Sequence, residues 1–407
     1  MKKVGILIAI FLLGIGVYFA LNSQTADRIG YISSLFTGVE QAGNFSRAKE
    51  IFPTTRLVAA TEPFQFSTGS QIELPEEYQF DGEKLSVGTF LQDTDTAALL
   101  IIQNGAVRFE QYWLTGGRKV NWLSMSVAKS FISTLIGIAL EEGHIESINQ
   151  PITQYCPSLK GSAYDGVRIK DILQMSSGAS WNEDYSDPNS DIMRFGQIMA
   201  IGGSLNEFAA TLVRENEPGT KNHYNSTDTQ VLGMLLTSAT GRSVTDYMQE
   251  KLWSPLGMES DAYWMVDDEN MEMAFGGLNA TARDYAKLGE LYRNSGVWQG
   301  IQVVPEAWVK AATAADAPHL LPQASEFGGF GYGYQWWLPA ADANNTKEFT
   351  AIGVYNQFIY VNPDRHLVIV KLSANRTYGM DLQESSYRER ETIQLFRAIG
   401  ETVAEID

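Results

Sequence analysis

Patterns typical of β-strands lie toward both ends of this 407-residue chain, and helical patterns occupy the stretch between them. "TAALLIIQNGAVRFEQYWL" (96–114) contains two β-rich runs divided by Asn104-Gly105, a strong signal for a tight hairpin. Helical patterns and loops fill about 145–300, and further strand patterns follow at 331–338, 347–353, 357–363 and 366–374. Because each element must bury its apolar face against another, this order implies one sheet built from both chain ends. We therefore predict an α+β fold with an inserted helical lobe.

The composition excludes several functional classes. Hydrophobic residues make up 44% of the chain, which is typical of a globular protein with a sizeable core. The formal net charge of −18 argues against a nucleic-acid partner, because phosphate contacts require clustered Lys and Arg. The single cysteine, Cys156, cannot form an internal disulfide, and the four histidines lack metal-ligand spacing. We expect no bound metal and interpret the histidines as structural residues.

The N-terminus, "MKKVGILIAIFLLGIGVYFALNSQ" (1–24), places two lysines before an uninterrupted apolar run. The run reaches the lower limit for crossing a hydrocarbon core of about 30 Å, and the lysines favour a cytoplasmic N-terminus. We interpret residues 1–24 as an uncleaved membrane anchor, with a cleaved secretory signal as the alternative. Both interpretations predict an exported main domain at 91–407, preceded by a polar, turn-rich lead-in at 25–90 that wraps the surface.

The segment "NWLSMSVAKSFISTLIGIALEEG" (121–143) places Ser126 three residues before Lys129 at the start of a nearly all-apolar helix. Positions i and i+3 lie almost on one face of an α-helix, so the two side chains are expected one turn apart. Burial favours the neutral form of lysine, which can act as the base that a serine nucleophile needs. The alternative is that Ser126 caps the helix while Lys129 extends to water. A second Ser-x-x-Lys, from Ser46 to Lys49, lies among charged residues, and we interpret it as a coincidence.

Two further segments contain residues that could complete such a site. Tyr224-Asn225-Ser226 follows a Pro-Gly turn and precedes an apolar helix, so Tyr224 is expected on a loop from which it could relay the serine proton. Gly353-Val354-Tyr355 begins a predicted hairpin, where a strand edge could offer a backbone N–H to an oxyanion. Tyrosine as core filler and Gly353 as a bulge are the alternative interpretations.

Six segments follow one another in order between about Thr96 and Ala374. They are "DTAALLIIQNGAV", "LSMSVAKS", "RIKDILQMSSGASWNEDYSDP", "PGTKNHYNSTDTQVLG", "FGGLNATARDYAKLGELY" and "AIGVYNQFIYVNPDRHLVIV". As an ordered set they resemble the β-lactamase-related, penicillin-recognising serine hydrolases. The resemblance is to the branch shared by class C β-lactamases, D-alanyl carboxypeptidases, family VIII-type carboxylesterases and nylon-oligomer (aminohexanoate-dimer) hydrolases.

This resemblance implies an antiparallel sheet flanked by helices, with the active site between the sheet and the helical lobe. It implies that Ser126 is the acylated nucleophile, that Lys129 assists its deprotonation, and that Tyr224 acts as partner base and proton donor. The oxyanion hole is expected to comprise the backbone N–H groups of Ser126 and of Val354, or of its neighbour Tyr355. Water then hydrolyses the acyl-enzyme, with no metal or cofactor.

The nylon-oligomer branch matches best, in "MSSGASWNEDYSDP" and "GGLNATARDY". The resemblance implies that Tyr185 helps to hold the substrate amide and that Asn279 lines the site. The alternative for Asn279 is a turn residue before a helix capped by Thr281. Ser226, where many β-lactamases have Asn, and Gly353 complete the expected substrate-binding set.

The sequence also departs from the family pattern. No Lys-Thr-Gly or His-Thr-Gly precedes the expected oxyanion strand, where the chain reads Ile352-Gly353-Val354-Tyr355. β-Lactam-handling members use that lysine's charge near the substrate carboxylate, so its absence disfavours β-lactamase or transpeptidase activity. Asn356 replaces a common Gly, which predicts a site entrance of different width.

The sequence therefore predicts an envelope-anchored serine hydrolase that cleaves small ester or amide substrates. A D-alanyl carboxypeptidase or weak β-lactamase is the alternative within the same fold. A non-enzymatic, membrane-tethered binding protein on the same scaffold is the alternative from another class.

Overall fold

A large eight-stranded sheet organises the computed structural model, which describes residues 25–34, 41–324, 328–342, 347–380 and 383–404. All neighbouring strands are antiparallel except the last two, which run parallel. In spatial order the strands are β12 (Phe330–Tyr332), β13 (Trp337–Pro339), β14 (Phe349–Gly353), β15 (Gln357–Asn362), β16 (Leu367–Ser373), β5 (Thr96–Gln103), β6 (Ala106–Tyr112) and β2 (Ser67–Thr68). The β16–β5 pair joins the two ends of the chain, so the prediction of one shared sheet is confirmed.

The β5–β6 connection is the predicted tight hairpin. Asn104 (φ 51°) and Gly105 (φ 74°) both adopt left-handed backbone conformations. Such a two-residue turn matches the right-handed twist of the paired strands. β5 is buried along its whole length, which indicates that other elements cover both faces of the sheet.

Helices cover the sheet and form a lobe inserted between β6 and β12. They are α1 (25–34), α2 (Gln41–Ile51), α3 (Val87–Asp93), α4 (Ala128–Glu141), α5 (Ile169–Leu173), α6 (Asp191–Ile201), α7 (Leu205–Ala209), α8 (Ser226–Thr240), α9 (Val244–Met248), α10 (Ala282–Arg293), α11 (Glu306–Ala312), α12 (Glu384–Tyr387) and α13 (Glu389–Ala404). The stretch predicted as helical, about 145–300, contains α5 to α10. Of these, α10 packs on the large sheet, because Gly289 leaves room for Val368 and Ile359.

A second, four-stranded sheet is absent from the sequence prediction. In spatial order it comprises β1 (Thr54–Leu57), β8 (Ala262–Met265), β9 (Leu278–Ala280) and β7 (Trp122–Leu123). Its strands have only two to four residues, too few to produce a recognisable alternation in the sequence. Two-stranded hairpins, β3 (Glu77–Phe80) with β4 (Glu83–Ser86) and β10 (Val297–Trp298) with β11 (Ile301–Gln302), complete the strands.

The lead-in segment packs into the core in addition to covering the surface. The ring of Phe45 on α2 stacks on Trp122 with the centroids 5.2 Å apart. The Tyr31 hydroxyl on α1 donates to the Asn44 carbonyl oxygen at 2.7 Å, which joins the first two helices. β1 pairs with β8, so the lead-in supplies an edge of the second sheet. The boundaries at 25–90 and 91–407 stay sequence-based predictions.

The anchor or signal predicted at 1–24 lies outside the described residues. In the part of the chain that the structure describes, every helix is too short or too polar to cross a bilayer. Membrane attachment through residues 1–24 and export of the main domain stay predictions from the sequence.

The helix that follows Ser126 is buried as its apolar residues predict. Every side chain of α4 from Ala128 to Ala139 is buried, and Gly143 (φ 77°) follows the helix end in a left-handed conformation. Gly137 in the middle of α4 lets the ring of Trp308 pack against the helix backbone. A Cβ at Gly137 would lie 2.5 Å from that ring, closer than real Cβ contacts allow.

The helical segment at the C-terminal end of the described residues divides at Arg388. This residue has a left-handed backbone (φ 54°) and separates α12 from α13. Its guanidinium donates to both carboxylate oxygens of Glu391, at 2.6 and 2.8 Å. The break brings the first residue of α13, Glu389, to the wall of a cavity described below.

We expect Gly137→Ala to destabilise the fold by about 1–3 kcal/mol, because overpacking against Trp308 outweighs the gain of about 1 kcal/mol in helix propensity. The matched control is Gly43→Ala on α2, where a Cβ would meet nothing within 4 Å. That variant should be more stable than wild type. Urea unfolding of wild type and both variants measures the change in the free energy of unfolding. A Gly137→Ala protein that is more stable than wild type would contradict the close packing of Trp308 on α4.

Candidate active site

Ser126 lies in a strained turn between β7 and α4. Met125, directly before it, has a left-handed backbone (φ 46°), which is costly for a residue with a Cβ. Residues Met125–Val127 form one 3-10 turn, and Val127 is the N-cap residue of α4. The alternative that Ser126 caps the helix is therefore wrong. Its side chain instead borders two cavities.

Lys129 is buried, and its Nζ lies within 3.1 Å of three oxygen atoms. Its Nζ lies 3.0 Å from Ser126 Oγ, 3.1 Å from Ser226 Oγ and 2.8 Å from the Phe275 carbonyl oxygen. Only 1% of the residue is exposed, so the alternative that Lys129 extends to water is wrong. Burial lowers the pKa of Lys129 to about 7, and the nearby negative charge of Glu183 opposes part of that shift.

Tyr224 reaches Ser126 from the loop before α8. Its hydroxyl is hydrogen-bonded to the Ser126 side chain, and burial raises the pKa of the phenol well above its ordinary value. The Tyr224 ring stacks on Trp337 with the centroids 5.2 Å apart, and Lys129 Nζ lies 5.2 Å from its centre. The structure therefore brings together all three predicted catalytic side chains and keeps the resting phenol protonated.

The end of β14 lies directly beside the Ser126 turn. A Cβ at Gly353 would be 2.7 Å from the Ser124 carbonyl oxygen, so only glycine permits this approach. Val354, the next residue, lines a cavity together with Ser126. Tyr355 turns into the interior with a left-handed backbone (φ 66°), and its ring packs against Phe45 at 5.7 Å. Of these two predicted oxyanion positions, Val354 therefore borders the same cavity as Ser126, at the place where β14 ends.

Glu183 is the functional residue that the sequence analysis misses. Its carboxylate accepts the Ser226 backbone N–H at 3.1 Å and the Ser226 hydroxyl at 2.7 Å. It also accepts hydrogen bonds from the Trp181 indole and from the Tyr185 hydroxyl. Ser226 thereby connects Glu183 to Lys129. The signal was present in "WNEDY", next to the predicted Tyr185, although nothing in the spacing indicates a contact with Lys129.

The predicted substrate-binding residues have different locations. Tyr185 borders both cavities at Ser126, as expected for a residue that holds a substrate. Ser226 is completely buried between Lys129 and Glu183, so it supports the lysine and does not face a substrate. Asn279 lies in β9, where its amide donates to the Gly277 carbonyl oxygen at 3.0 Å. Among the described residues that line the two cavities, Asn279 does not appear, which corrects its predicted role.

Asn356 and the second Ser-x-x-Lys lie outside the group of side chains around Lys129. Asn356 is buried and binds Asn375 and the Tyr387 backbone, so its side chain braces the chain behind the site and does not shape the entrance. Ser46 and Lys49 lie on α2, an element that the sequence did not predict, and Lys49 is exposed. The interpretation of this second Ser-x-x-Lys as a coincidence agrees with that exposure.

Two cavities with different lining residues meet at Ser126 and Tyr185. The methionine cavity, of about 70 Å³, is walled by Met125, Met193, Met199, Met265 and Met273 together with aliphatic and phenylalanine side chains. The tyrosine cavity, of about 260 Å³, is walled by Tyr185, Tyr224, Tyr378 and Tyr387 together with Trp337, Glu183 and Glu389. Within the described ranges, no group of three or more His, Cys, Asp or Glu side chains is placed to hold a metal ion.

The sequence and the fold of this chain are similar to those of known proteins. A family model described as Beta-lactamase matches residues 87–394, which is most of the chain. The chain belongs to the beta-lactamase family. The resemblance inferred from the six ordered segments is thereby confirmed, and the family supports hydrolase chemistry.

Individual relatives of this beta-lactamase family member agree with that assignment. The chain is 31% identical over 294 residues to the 6-aminohexanoate-dimer hydrolase of Paenarthrobacter ureafaciens, covering 70% of this chain and 74% of that protein. The solved structure of a putative 6-aminohexanoate-dimer hydrolase from Bacillus anthracis matches with a TM-score of 0.75 and 22% identity, covering 89% of this chain and 96% of that one. EstCE1, a hydrolase with promiscuous acyltransferase activity, matches with a TM-score of 0.61 and 17% identity, covering 77% of this chain and 96% of that one. The two structures show the same fold.

We expect Gly353→Ala to slow the reaction of Ser126 with a fluorophosphonate probe about ten-fold, because relieving a contact with the Ser124 carbonyl moves β14 away from the nucleophile. The matched control is Gly88→Ala on α3, where a Cβ would come no closer than 3.8 Å to another atom. Labelling rates from gel fluorescence measure the effect. A Gly353→Ala protein that reacts at the wild-type rate would show that the close approach does not position the oxyanion strand.

Proposed function

We propose that this member of the beta-lactamase family is a serine hydrolase that cleaves small esters or amides through an acyl-enzyme on Ser126. The observation that carries the proposal is the environment of Ser126 Oγ. A buried lysine with a pKa lowered to about 7 lies 3.0 Å away, and a protonated tyrosine binds the same hydroxyl. A serine needs a base and a defined proton path before it attacks a carbonyl carbon.

The proposed reaction has two halves. In the first, neutral Lys129 accepts the Ser126 proton while Oγ attacks the carbonyl carbon, and the backbone N–H of Ser126 together with that of Val354 or Tyr355 binds the oxyanion. Tyr224 then donates its proton to the leaving alcohol or amine and recovers one from Lys129. In the second half, a water molecule attacks the acyl carbon and its proton passes to the same base system. The bond between the acyl carbon and Ser126 Oγ then breaks, Oγ receives that proton, and the acid product leaves.

The acyl group is proposed to bind in the methionine cavity. Its walls are almost entirely apolar, and methionine side chains adapt to chains of different shape. Tyr224 does not line this cavity but lines the tyrosine cavity, so the proposed proton donor is nearest to a group bound in the tyrosine cavity. We therefore assign the leaving group to the tyrosine cavity.

A D-alanyl carboxypeptidase or weak β-lactamase is the second candidate. A partial similarity supports it. The chain is 26% identical over 155 residues to a protein of Escherichia coli (strain K12) named putative D-alanyl-D-alanine carboxypeptidase, covering 36% of this chain and 35% of that protein. The charges disfavour it. Such substrates bear a carboxylate, whereas the tyrosine cavity presents Glu183, Asp184 and Glu389. Because like charges repel, a carboxylate is a poor ligand there.

The proposal is tested with a hydrolysis panel of short-chain nitrophenyl esters, linear amide dimers, nitrocefin and D-Ala-D-Ala peptides. We expect Ser126→Ala to lose at least about 10³-fold in kcat/KM on the esters or amides, because no other group supplies the nucleophile. Ser46→Ala, the serine of the second Ser-x-x-Lys, is the matched control and should retain wild-type activity. Full ester hydrolysis by Ser126→Ala would refute the acyl-enzyme, and preferential turnover of nitrocefin or D-Ala-D-Ala peptides would favour the second candidate.

The pH dependence follows from Lys129. Its lowered pKa means that the neutral, basic form gains population as the pH rises through about 7, so kcat/KM should rise there and level off above. Glu183→Gln removes the charge that favours the ammonium form, and the midpoint should move to lower pH. Asp184→Asn is the control, because that carboxylate is bound to the Ser186 backbone N–H at 2.8 Å and does not contribute to the lysine shift. A midpoint that stays fixed in Glu183→Gln would contradict the coupling.

A further inference from the structure

The tyrosine cavity contains a carboxylate that the proposed chemistry does not use. Glu389, at the start of α13, lines this cavity together with Ser126. Its Oε1 accepts a hydrogen bond from the Tyr378 hydroxyl at 2.6 Å. Within the described ranges, Oε2 of Glu389 has no hydrogen-bond partner. The cavity wall therefore presents an acceptor oxygen that is available to a ligand.

The other two carboxylates of the cavity differ from Glu389 because the protein already occupies them. Glu183 accepts four hydrogen bonds, two of them from Ser226. Asp184 accepts the backbone N–H and the hydroxyl of Ser186 on one oxygen. Both side chains stabilise the loop that contains them. Glu389 remains as the acidic group in this wall that is free to bind a substrate.

No arginine or lysine neutralises Glu389 in the part of the chain that the structure describes. Its neighbour Arg388 is committed to Glu391 through a two-bond contact, and Arg390 donates to Glu384 at 3.2 Å. Burial raises the pKa of Glu389 to about 7, and the negative charge of Glu384 adds to that shift. An unpaired, half-buried carboxylate is unfavourable, and a cation beside it would relieve that cost.

Aromatic rings enclose the same space. The rings of Tyr378 and Tyr387 meet edge to face with centroids 5.2 Å apart, and Trp337, which lines the same cavity, stacks on Tyr224. Ring faces attract alkylated ammonium groups, which lose little hydration when they enter an aromatic site. A carboxylate next to several aromatic rings is thus the combination that recognises an organic cation.

We propose that the tyrosine cavity selects substrates whose leaving group carries an organic ammonium ion, with Glu389 as its counter-charge and Tyr378 and Tyr387 as its aromatic wall. This inference rests on the proposed acyl-enzyme, because the role of Tyr224 as proton donor places the leaving group in this cavity. The substrate class is then an ester or amide with an apolar acyl chain on one side and a cationic alcohol or amine on the other.

The test compares two esters of equal shape. Choline hexanoate and 3,3-dimethylbutyl hexanoate differ only by a positively charged nitrogen in place of a carbon atom. At pH 8, we expect wild-type kcat/KM to favour the choline ester by about ten-fold or more, because the aromatic rings and the charge of Glu389 both attract the ammonium group. Equal rates, or a preference for the neutral ester, would overturn the inference.

Glu389→Gln keeps the size of the side chain and the acceptor for Tyr378 while removing the charge. The choline preference should fall at least about ten-fold in this variant, because the attraction between the carboxylate and the ammonium charge is lost. Glu401→Gln is the matched control, because Glu401 lies on the same helix and is exposed to solvent. A choline preference that is unchanged in Glu389→Gln would show that Glu389 is not the counter-charge of the ammonium group.

A binding experiment separates this inference from the proposed function. Calorimetric titration of Ser126→Ala with both esters measures affinity without turnover, and Ser126→Ala/Glu389→Gln measures the contribution of the charge. Tighter binding of the choline ester that depends on Glu389 supports the cation site even if no ester is hydrolysed, in which case the acyl-enzyme fails alone. Hydrolysis of both esters with no such difference in binding refutes the cation site and leaves the acyl-enzyme intact.

Discussion

The enclosure of Lys129 is the constraint on which the rest of the site depends. An ammonium group inside an apolar helical core loses its hydration, which favours the neutral amine. The three oxygen atoms around Nζ replace part of that hydration, and Glu183 acts on the amine through Ser226. The balance leaves the pKa of Lys129 at about 7. A more exposed amine would remain charged, whereas one without these oxygens would have an unsatisfied polar group in the core.

The geometry around that lysine is fixed from the large sheet. Trp122, four residues before Ser126, donates its indole N–H to Gln357 Oε1 at 3.0 Å. The amide of Gln357 in turn donates to the Ser373 carbonyl oxygen at 2.6 Å, so β7 is joined to both β15 and β16. Gly353 then permits close approach of β14 to the turn. Ser126 and Gly353 are thus held by one hydrogen-bonded unit, although they lie more than 200 residues apart in the chain.

The sequence predicts those parts of the site whose geometry is local. Ser126 and Lys129 are one helical turn apart, and the apolar residues of α4 indicate burial of the lysine. The location of Tyr224 and Gly353 near Ser126 could be predicted because the six ordered segments identify the family. Glu183 could not be assigned, since its contact with Ser226 depends on how a loop folds against another helix. Asn279 and Ser226 were placed in the substrate site by family pattern, but each is committed to backbone or side-chain partners inside the protein.

The same distinction applies to the fold. The eight-stranded sheet is evident from long apolar runs and a diagnostic turn, whereas the second sheet consists of strands too short to show a period. α2 has few apolar residues, and its helix is stabilised chiefly by the burial of Phe45 and Ala48 against the rest of the protein. Such an element depends on tertiary packing, which no local pattern records.

The methionine cavity is closed partly by Tyr31, Ile32 and Phe52, which precede the residues matched by the family model, 87–394. The proposed catalytic side chains of Ser126, Lys129 and Tyr224 lie within that matched region. The other residues that line the cavity, among them all five methionines, also lie within that region, so the lead-in contributes one part of the wall. Replacing the lead-in would therefore reshape this part of the cavity wall and leave Ser126, Lys129 and Tyr224 in place.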